Sequence, residues 1–344
     1  MEILAPVGRS LSLLKNIIRH GADAVYFGVR PLSISKSISK SYKQDQFSLI
    51  WPAFEFDYSS AVEAIKLLQH SGKRSYITMN LPYTKDQFDS VLELSLKLID
   101  AGVSALIVSD PGLVSKLKIE RPKCELHVSI IGRTINSQAA IFWKELGCSR
   151  VILDRSLSVV EISSIIEEST MEVEVFVYGN TCFFYHGGCR LSSYFFGEAC
   201  IGPCMDKYSI EGFEFIPKKP FRSKIFNAYE FLPHLFNMGV HTIKIEGRQK
   251  SDLYIINTLK IFRKAVDALK SGHPLPPIDN SGINFLFAGH KDSTCGFLAG
   301  DPQLSNNIIQ KDTTKSFLRN IATYLTPTGI KVGLNMRKRR SAKR

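Results

Sequence analysis

The chain has 344 residues, 44% of them hydrophobic, with a mean hydropathy near zero and no apolar run of membrane length. These properties suffice for one large or two smaller buried cores, and they argue against membrane insertion. The formal net charge of +12 and the sequence pI near 9.3 exceed what solubility requires, and such basic proteins often bind polyanions, above all RNA.

Strands and amphipathic helices alternate along the first 271 residues. Eight segments are predicted as buried strands: residues 2–5, 24–28, 76–80, 105–109, 125–129, 150–154, 172–178 and 241–246. Segments with apolar residues at helical spacing lie between them, and several end at a glycine that can take the left-handed cap conformation. This regular alternation predicts an α/β fold of the (β/α)8 TIM-like barrel type, with a parallel sheet.

Two polar insertions interrupt the alternation. Residues 30–57 are rich in serine and lysine, and residues 209–229 alternate phenylalanine with lysine and arginine. Each is interpreted either as a surface segment or lid, or as a loop that contacts nucleic acid.

The sequence changes character after residue 271. A proline-rich segment at residues 273–277 is typical of a linker, and the last nine residues of the chain are almost purely basic. We therefore predict a catalytic domain over residues 1–271, a small C-terminal extension over residues 272–330 and a solvated basic tail over residues 331–344. The charge of that tail would add non-specific affinity for RNA.

Active sites of (β/α)8 barrels lie at the carboxyl ends of the strands, so polar residues at those positions are candidate catalytic groups. The polar residues that end or follow predicted strands three to six and eight are Asn80, Ser109, Asp110, His127, Ser129, Asp154, Arg155, Glu246 and Arg248. Most groups of this kind are helix caps, and Asp110 is interpreted as a helix start. Arg155 and Arg248 are favoured as ligand-binding residues, because a guanidinium suits a carboxylate or phosphate. Glu246 and His127 complete the predicted catalytic set.

Four of the seven cysteines follow predicted strand seven in a cysteine-rich loop over residues 179–208, at the spacing C-x6-C-x10-C-x3-C: Cys182, Cys189, Cys200 and Cys204. The glycine-rich sequence around them has little side-chain mass to pack in a core. The first residues of the chain lack the features of a signal peptide, so we expect a cytoplasmic protein with reduced thiols.

Four thiolates suit either tetrahedral zinc or an iron–sulfur cluster. Zinc sites usually have two tight cysteine pairs, whereas the long gaps here are more typical of a cluster held by a loop. Zinc, unligated structural thiols and His186 as a replacement ligand remain open as alternatives at this point.

Several motifs resemble those of one protein family. Residues 174–179 (EVFVYG), followed by Cys182 and then by residues 185–192 (YHGGCRLS), resemble the signature of the collagenase-like U32 peptidase family. Residues 197–204 (GEACIGPC) and 244–251 (KIEGRQKS) are similar to later motifs of that family, and the resemblance covers about the first 300 residues. The chain departs from the family pattern at four residues, which are Ile131, Arg133, His186 and Met205.

The resemblance implies an enzyme with a four-iron, four-sulfur cluster held by Cys182, Cys189, Cys200 and Cys204. Similar proteins hydroxylate a tRNA or rRNA base without oxygen, with prephenate as the implied hydroxyl source, so the leading hypothesis is an RNA hydroxylase. The alternatives are ubiquinone-ring hydroxylation with a second subunit of the same family, a collagenase-like peptidase, and a zinc-stabilised RNA-binding module. The sequence offers a peptidase little support, because it has neither a Ser/His/Asp arrangement around a nucleophile elbow nor an H-E-x-x-H motif.

Overall fold

Eight parallel strands form a closed barrel in the computed structural model of the chain, which describes residues 1–8, 10–30, 55–81, 83–182, 204, 225–248, 250–278 and 293–299. The strands of these residues are β1 (Glu2–Pro6), β2 (Ala24–Val29), β3 (Glu55–Phe56), β4 (Arg74–Met79), β5 (Ala105–Val108), β6 (Leu126–Val128), β7 (Arg150–Ile152), β8 (Glu172–Asn180), β9 (Ile225–Asn227), β10 (Thr242–Ile245) and β11 (Ser293–Thr294). The helices are α1 (Leu11–Arg19), α2 (Tyr58–His70), α3 (Lys85–Asp100), α4 (Pro111–Glu120), α5 (Ser137–Glu145), α6 (Val159–Ser169), α7 (Leu232–Asn237) and α8 (Asp252–Lys270).

The barrel has the strand order β10-β1-β2-β4-β5-β6-β7-β8, and it closes because β10 pairs in parallel with both β1 and β8. Thr242 of β10, for example, lies opposite Glu2 on one side and Glu174 on the other. β3 adds to the edge of β2, while β9 and β11 extend outward from β8. The predicted (β/α)8 barrel is therefore confirmed, and each of its eight strands begins and ends within two residues of the predicted position.

Polar side chains begin most of the described helices. The caps that accept a hydrogen bond from a backbone N–H of the first turn are Ser10, Asp57, Asp110, Asn136, Ser158 and Ser251. Asp110 therefore begins a helix, as the sequence predicted. Because a cap sits directly after each strand or short loop, these side chains fix the points at which the chain leaves the carboxyl ends of the strands. None of the described helices is long and apolar enough to cross a membrane.

Two described segments of the predicted C-terminal extension contact the barrel. The hydroxyl of Tyr229 donates to the carbonyl oxygen of Pro276 at 2.7 Å. Further along, β11 pairs with β9, and Leu298 is buried. The boundaries of the three predicted regions stay predictions. Most of the two polar insertions, and the whole basic tail, lie outside the described residues.

Along each barrel strand, one residue faces the helices and the next faces the barrel interior. Ile3 and Ala5 of β1 pack in the large apolar cluster between strands and helices, whereas Leu4 belongs to a smaller inner cluster. That inner cluster also contains Tyr26 of β2 and Phe176 of β8. The same alternation places charged residues inside the barrel, because they occupy inward positions of strands that are otherwise apolar.

Arg150 of β7 is the centre of a buried ion-pair network in the amino-terminal half of the barrel. Its side chain is completely buried, and its guanidinium donates to Glu2 at 2.9 Å and to Glu172 at 2.7 and 2.9 Å. A longer contact of 3.5 Å reaches Glu174. The hydroxyl of Tyr76 donates to both carboxylate oxygens of Glu2, at 3.0 and 2.9 Å. Four side chains from three strands, β1, β4 and β8, thus converge on one guanidinium.

Lys244 of β10 continues this network toward the carboxyl ends of the strands. Its ammonium donates to Glu174 at 2.9 Å and lies 4.3 Å from the centre of the Tyr26 ring. Burial lowers the pKa of Lys244, although Glu174 opposes the shift. Burial alone would raise the pKa of Glu174, but the charges of Lys244 and Arg150 outweigh it, so that the pKa of this carboxyl is lowered. Glu174 therefore stays ionised between two cations.

We expect Arg150→Leu to lower the free energy of unfolding by about 3–5 kcal/mol, because it leaves buried carboxylates without their counter-charge. The matched control is Arg121→Leu, which removes a guanidinium paired with Asp100 at 2.9 Å on the surface and should cost at most about 1 kcal/mol. Urea unfolding of both variants measures the difference. Equal losses in the two variants would show that the network does not hold the barrel together.

Candidate active site

Arg155 lies at the carboxyl end of β7 and is almost fully buried. Its guanidinium carbon is 3.9 Å from the centre of the Phe176 ring, which projects into the barrel from β8. This stacking fixes the plane of the guanidinium, since the ring supports it from one face. Arg155 is thus held at the floor of the opening formed by the carboxyl ends of the strands, which we call the mouth.

Arg248 reaches the same mouth from the loop after β10. One of its terminal nitrogens donates to the hydroxyl of Thr78 on β4 at 3.3 Å, and that hydroxyl donates to the carbonyl oxygen of Phe27 at 3.3 Å. Beside them, the Asn80 amide donates to the Ser129 hydroxyl at 2.9 Å. The side chains at the ends of β4, β6 and β10 are therefore joined across the mouth by hydrogen bonds.

Tyr26 lies within reach of the charges of both arginines. Its hydroxyl donates to the carbonyl oxygen of Ile245 at 3.1 Å, and burial raises its pKa. The charges of Arg248 and Arg155 both act to lower that pKa, and the charge of Glu246 acts to raise it. Three residues of the predicted catalytic set, Arg155, Glu246 and Arg248, therefore act on the same phenol through their charges. The mouth holds two guanidinium groups above an aromatic floor, an arrangement that suits a small ligand with carboxylate groups.

Glu246 anchors the start of the cysteine-containing segment. Its carboxylate accepts a hydrogen bond from the backbone N–H of Asn180, the last residue of β8, at 2.6 Å. The Asn180 side chain accepts from Lys250 at 3.4 Å. Glu246 thus holds the backbone two residues before Cys182. The sequence suggested a catalytic role for Glu246 and gave no sign of this positioning contact.

Gly179 permits this contact because it has no side chain. Its φ is +141°, and a Cβ there would lie 2.5 Å from the Cβ of Glu246 and closer still to a carboxylate oxygen. The same stretch of β8 pairs with β9 in antiparallel orientation, with Gly179 opposite Phe226 and Asn180 opposite Ile225. The segment between β8 and β9 therefore leaves and returns to the barrel at adjacent backbone positions beside the mouth.

Two of the four predicted cluster ligands lie among the described residues. Cys182 is exposed and follows β8 by two residues, and Cys204 is half-buried. Cys189, Cys200 and His186 lie outside the described residues, so the set of ligands stays a prediction. Among the described residues alone, no group of three or more His, Cys, Asp or Glu side chains could hold a metal ion. The chemistry of the donor set fits a thiolate-ligated metal or cluster, and Cys182 places its start at the mouth.

His127 lies inside the barrel and not with the arginines of the mouth. Its Nε2 is 2.7 Å from Glu125, on the amino-terminal side of β6, and its ring packs edge-on against Tyr76 at 4.7 Å. Burial lowers the pKa of His127, although the hydrogen bond to Glu125 opposes the shift. Burial would raise the pKa of Glu125, but His127 and Arg74 outweigh it and lower that pKa to about 2. His127 therefore belongs to the ion-pair network.

Three residues of the mouth were missed in the sequence. Tyr26, Thr78 and Phe176 occupy inward positions of barrel strands, each two residues after a buried inward residue: Ala24, Tyr76 and Glu174. The signal that could have found them is the period of two along each strand, which marks the inward positions. Asp154, by contrast, accepts from the backbone of Ser156 at 2.9 Å and stabilises a turn.

The residues around β11 brace the loop that carries Arg155. The carbonyl oxygen of Leu298 accepts from the backbone N–H of Val159 at 3.1 Å. Gly296 has a φ of +62°, and a Cβ there would lie 3.2 Å from the carbonyl oxygen of Arg155. This part of the predicted C-terminal extension therefore touches the backbone of a candidate site residue.

Comparison with known proteins identifies relatives across most of the chain. The sequence profile of Peptidase family U32 matches residues 9–307. The "tRNA hydroxylation protein P1" of Bacillus subtilis is 28% identical, with 94% of this chain and 77% of that protein covered. The "tRNA hydroxylation protein P" of Escherichia coli is 28% identical, covering 86% and 74%. A 23S rRNA 5-hydroxycytidine synthase of Escherichia coli is 27% identical, covering 78% of this chain and 40% of that protein.

Substituting Gly179 tests the contact between β8 and Glu246. Gly179→Ala should lower the free energy of unfolding by at least ~2 kcal/mol more than Gly239→Ala, because only the first substitution forces a side chain against a neighbour. Gly239 is a matched control: its φ is also positive, at +86°, and no atom lies within 4 Å of a Cβ built there. Urea unfolding compares the two variants. A similar loss in both would mean that the close approach of Gly179 and Glu246 is not required.

Proposed function

The chain belongs to peptidase family U32, and from this membership and the mouth of the barrel we propose that it is an enzyme that hydroxylates a base of tRNA or rRNA with an iron–sulfur cluster and without oxygen. Relatives named as tRNA hydroxylation proteins align with 86–94% of the chain. A relative named as an rRNA hydroxycytidine synthase aligns with 78% of it. The net charge of +12 is consistent with an RNA substrate.

The observation that carries the proposal is the hydrogen bond that joins the start of the cysteine-containing segment to the loop of Arg248. Glu246 holds the backbone of Asn180 two residues before Cys182, and Glu246 and Arg248 belong to the same loop. In a (β/α)8 barrel this is the end of the strands at which chemistry takes place. We therefore infer that the cysteine-containing segment and the two arginines act at one mouth.

We propose that Cys182, Cys189, Cys200 and Cys204 hold a four-iron, four-sulfur cluster. When bound, such a cluster supplies one-electron redox chemistry and a Lewis-acidic iron. The exposed position of Cys182 suits a ligand at the edge of the mouth. Glu246 and Gly179 set the backbone from which this ligand projects.

Arg155 and Arg248 would bind the carboxylates of a small co-substrate. Phe176 and Tyr26 form the floor on which it would rest, and burial of that floor excludes water from below. Prephenate is a dicarboxylate, so it fits two guanidinium groups, and we propose it as the hydroxyl donor. The C–O bond of the donor would break as its ring loses CO2 and becomes aromatic, which releases hydroxide and leaves phenylpyruvate. Replacement of a base C–H bond by C–OH with that hydroxide releases two electrons and a proton, for which we propose a separate electron-carrier protein as the electron acceptor.

The other readings have less support. A peptidase would require a nucleophile beside a general base. In the part of the chain that the structure describes, His127 and His241, the histidines at the barrel strands, have glutamate partners and no hydrogen bond to a serine, threonine or cysteine. Ubiquinone-ring hydroxylation and a second subunit of the same family stay predictions. Copurification of a second family member with this chain would favour that reading.

The metal content of protein purified without oxygen tests the cluster. We expect about four irons and four sulfides per chain, with visible absorption that is lost in Cys200→Ser. The control is Cys148→Ser, which alters a buried cysteine of the apolar cluster outside the cysteine-rich segment and should keep the iron. Stoichiometric zinc, or iron retained in Cys200→Ser, would contradict the proposed cluster.

Mass spectrometry of nucleosides from a deletion strain tests the reaction. The strain should lack a hydroxylated nucleoside of tRNA or rRNA that the wild-type gene restores. Arg248→Lys should restore less than about a tenth of it, because a bidentate charge-assisted contact contributes roughly 1.5–3 kcal/mol. Arg121→Lys, on the surface beside Asp100, should restore it fully. An unchanged nucleoside profile in the deletion strain would refute the proposed reaction.

A further inference from the structure

The described helices around the barrel divide their charge unevenly. α1 and α8 together carry six basic and two acidic side chains, whereas the other six helices together carry six basic and ten acidic ones. The two basic helices are neighbours: they follow the paired strands β1 and β10, and Arg263 of α8 donates to the carbonyl oxygen of Gly21, just after α1, at 3.3 Å. The basic charge of the described helices is therefore concentrated on one side of the barrel.

Four of these cations are exposed and form like-charged pairs along the helices. Lys15 and Arg19 are four residues apart on α1, and Lys260 and Lys264 are four residues apart on α8. Side chains at this spacing are neighbours on a helix surface, so like charges repel each other and destabilise the helix. The structure gives none of the four an ion pair or side-chain hydrogen bond to another described residue.

The helix dipole accounts for only part of the basic charge on α1 and α8. A cation in the last turn of a helix interacts favourably with the helix dipole, which explains Arg19 and Lys270. Lys15, Lys260 and Lys264 lie further from the helix ends. Arg263, between the two lysines of α8, is neutralised by Asp23 at 3.0 Å and by Asp267 at 2.7 Å. The exposed lysines are therefore available to an anionic partner from outside the described structure.

This side of the barrel extends from the mouth to the opposite end. α8 begins four residues after Arg248 of the mouth, and its 19 residues span about 28 Å. Lys270 at its far end lines a cavity of about 390 Å³ together with Lys73. Arg74 and His241 also line it, but they pair with Glu125 and Glu172. The carboxylates of that cavity have other partners, since Glu2 accepts from Arg150 and Tyr76, and Asp23 from Arg263.

We propose that α1 and α8, with the cavity around Lys270, form an RNA-binding face that holds the phosphate backbone of the substrate while one base enters the mouth. The inference rests on the proposed function and names the surface that it requires. An anionic membrane is the less favoured partner, because membrane-surface helices also expose large apolar side chains. Among the described residues, Leu253 is the only exposed large hydrophobic residue on α1 or α8.

Charge reversal on opposite sides of the barrel tests this face. The test variant is Lys260→Glu/Lys264→Glu on α8. The control is Lys116→Glu/Lys123→Glu, two exposed lysines on and after α4, which follows β5, four strands around the barrel from β10. Both double variants have the same net charge, so any general effect of charge on RNA binding is equal in the two.

At ~0.15 M salt, the α8 variant should bind tRNA and an rRNA fragment about tenfold more weakly than wild type, and the control should stay within about twofold. The slope of log affinity against log salt should fall by about one to two in the α8 variant only. Lys15→Gln/Arg19→Gln, a milder change on α1, should weaken binding in the same direction. Circular dichroism checks that each variant is folded.

Three outcomes would overturn the proposed face: equal weakening in both double variants, unchanged affinity in the α8 variant, or wild-type protein that does not bind RNA. A wild-type protein that binds vesicles with one third phosphatidylglycerol, with that binding and not RNA binding lost in the α8 variant, would reassign the face to a membrane. Failure of the face leaves the hydroxylated nucleoside present in cells. If instead the proposed function fails, the deletion strain has the same nucleosides as wild type, while α8-dependent RNA binding persists.

Discussion

The ion pairs of Arg150 inside the barrel are the constraint on which the rest of the structure depends. An eight-stranded barrel has an interior that side chains can just fill, and branched apolar residues usually fill it. Here the amino-terminal half is occupied by a guanidinium and carboxylates that neutralise each other, with Lys244 and Tyr76 packed around them. Such a network tolerates no missing partner, since each unpaired charge would remain buried. The filled lower half leaves the carboxyl-end mouth as the side on which a ligand can be admitted.

Strand β8 connects this network to the candidate site. Its inward residues are Glu174 in the network and Phe176 under Arg155, and its end carries Gly179 and Asn180 against Glu246. Because side chains alternate along a strand, a shift of one residue would turn Glu174 out of the network and move the start of the cysteine-containing segment. The register that the buried charges fix in the core therefore also determines where Cys182 begins.

The sequence predicted the elements whose signals are local. The eight strands and their helices follow from apolar runs, helical spacing and caps such as Asp110, because these depend on neighbouring residues. The grouping of Arg155 and Arg248 at one mouth followed from the rule that strand ends of a parallel barrel share one face. His127 was placed wrongly with them, since its direction depends on Glu125 and Tyr76, and Tyr76 lies on a strand far away in the chain. The positioning contact of Glu246 with Asn180, 66 residues apart, has no local signal at all.

The geometry separates two tasks that an enzyme acting on RNA must perform. The mouth offers two guanidinium groups on a buried aromatic floor, which suits a small anion and one base but gives little surface for a long polymer. Affinity for RNA comes mainly from contacts with the phosphate backbone, which need cations spread over a long distance. α8 supplies that distance and begins beside Arg248, so a backbone bound along it would pass directly by the mouth. Binding and chemistry are thus joined through one loop, and the residues that follow β10 serve both.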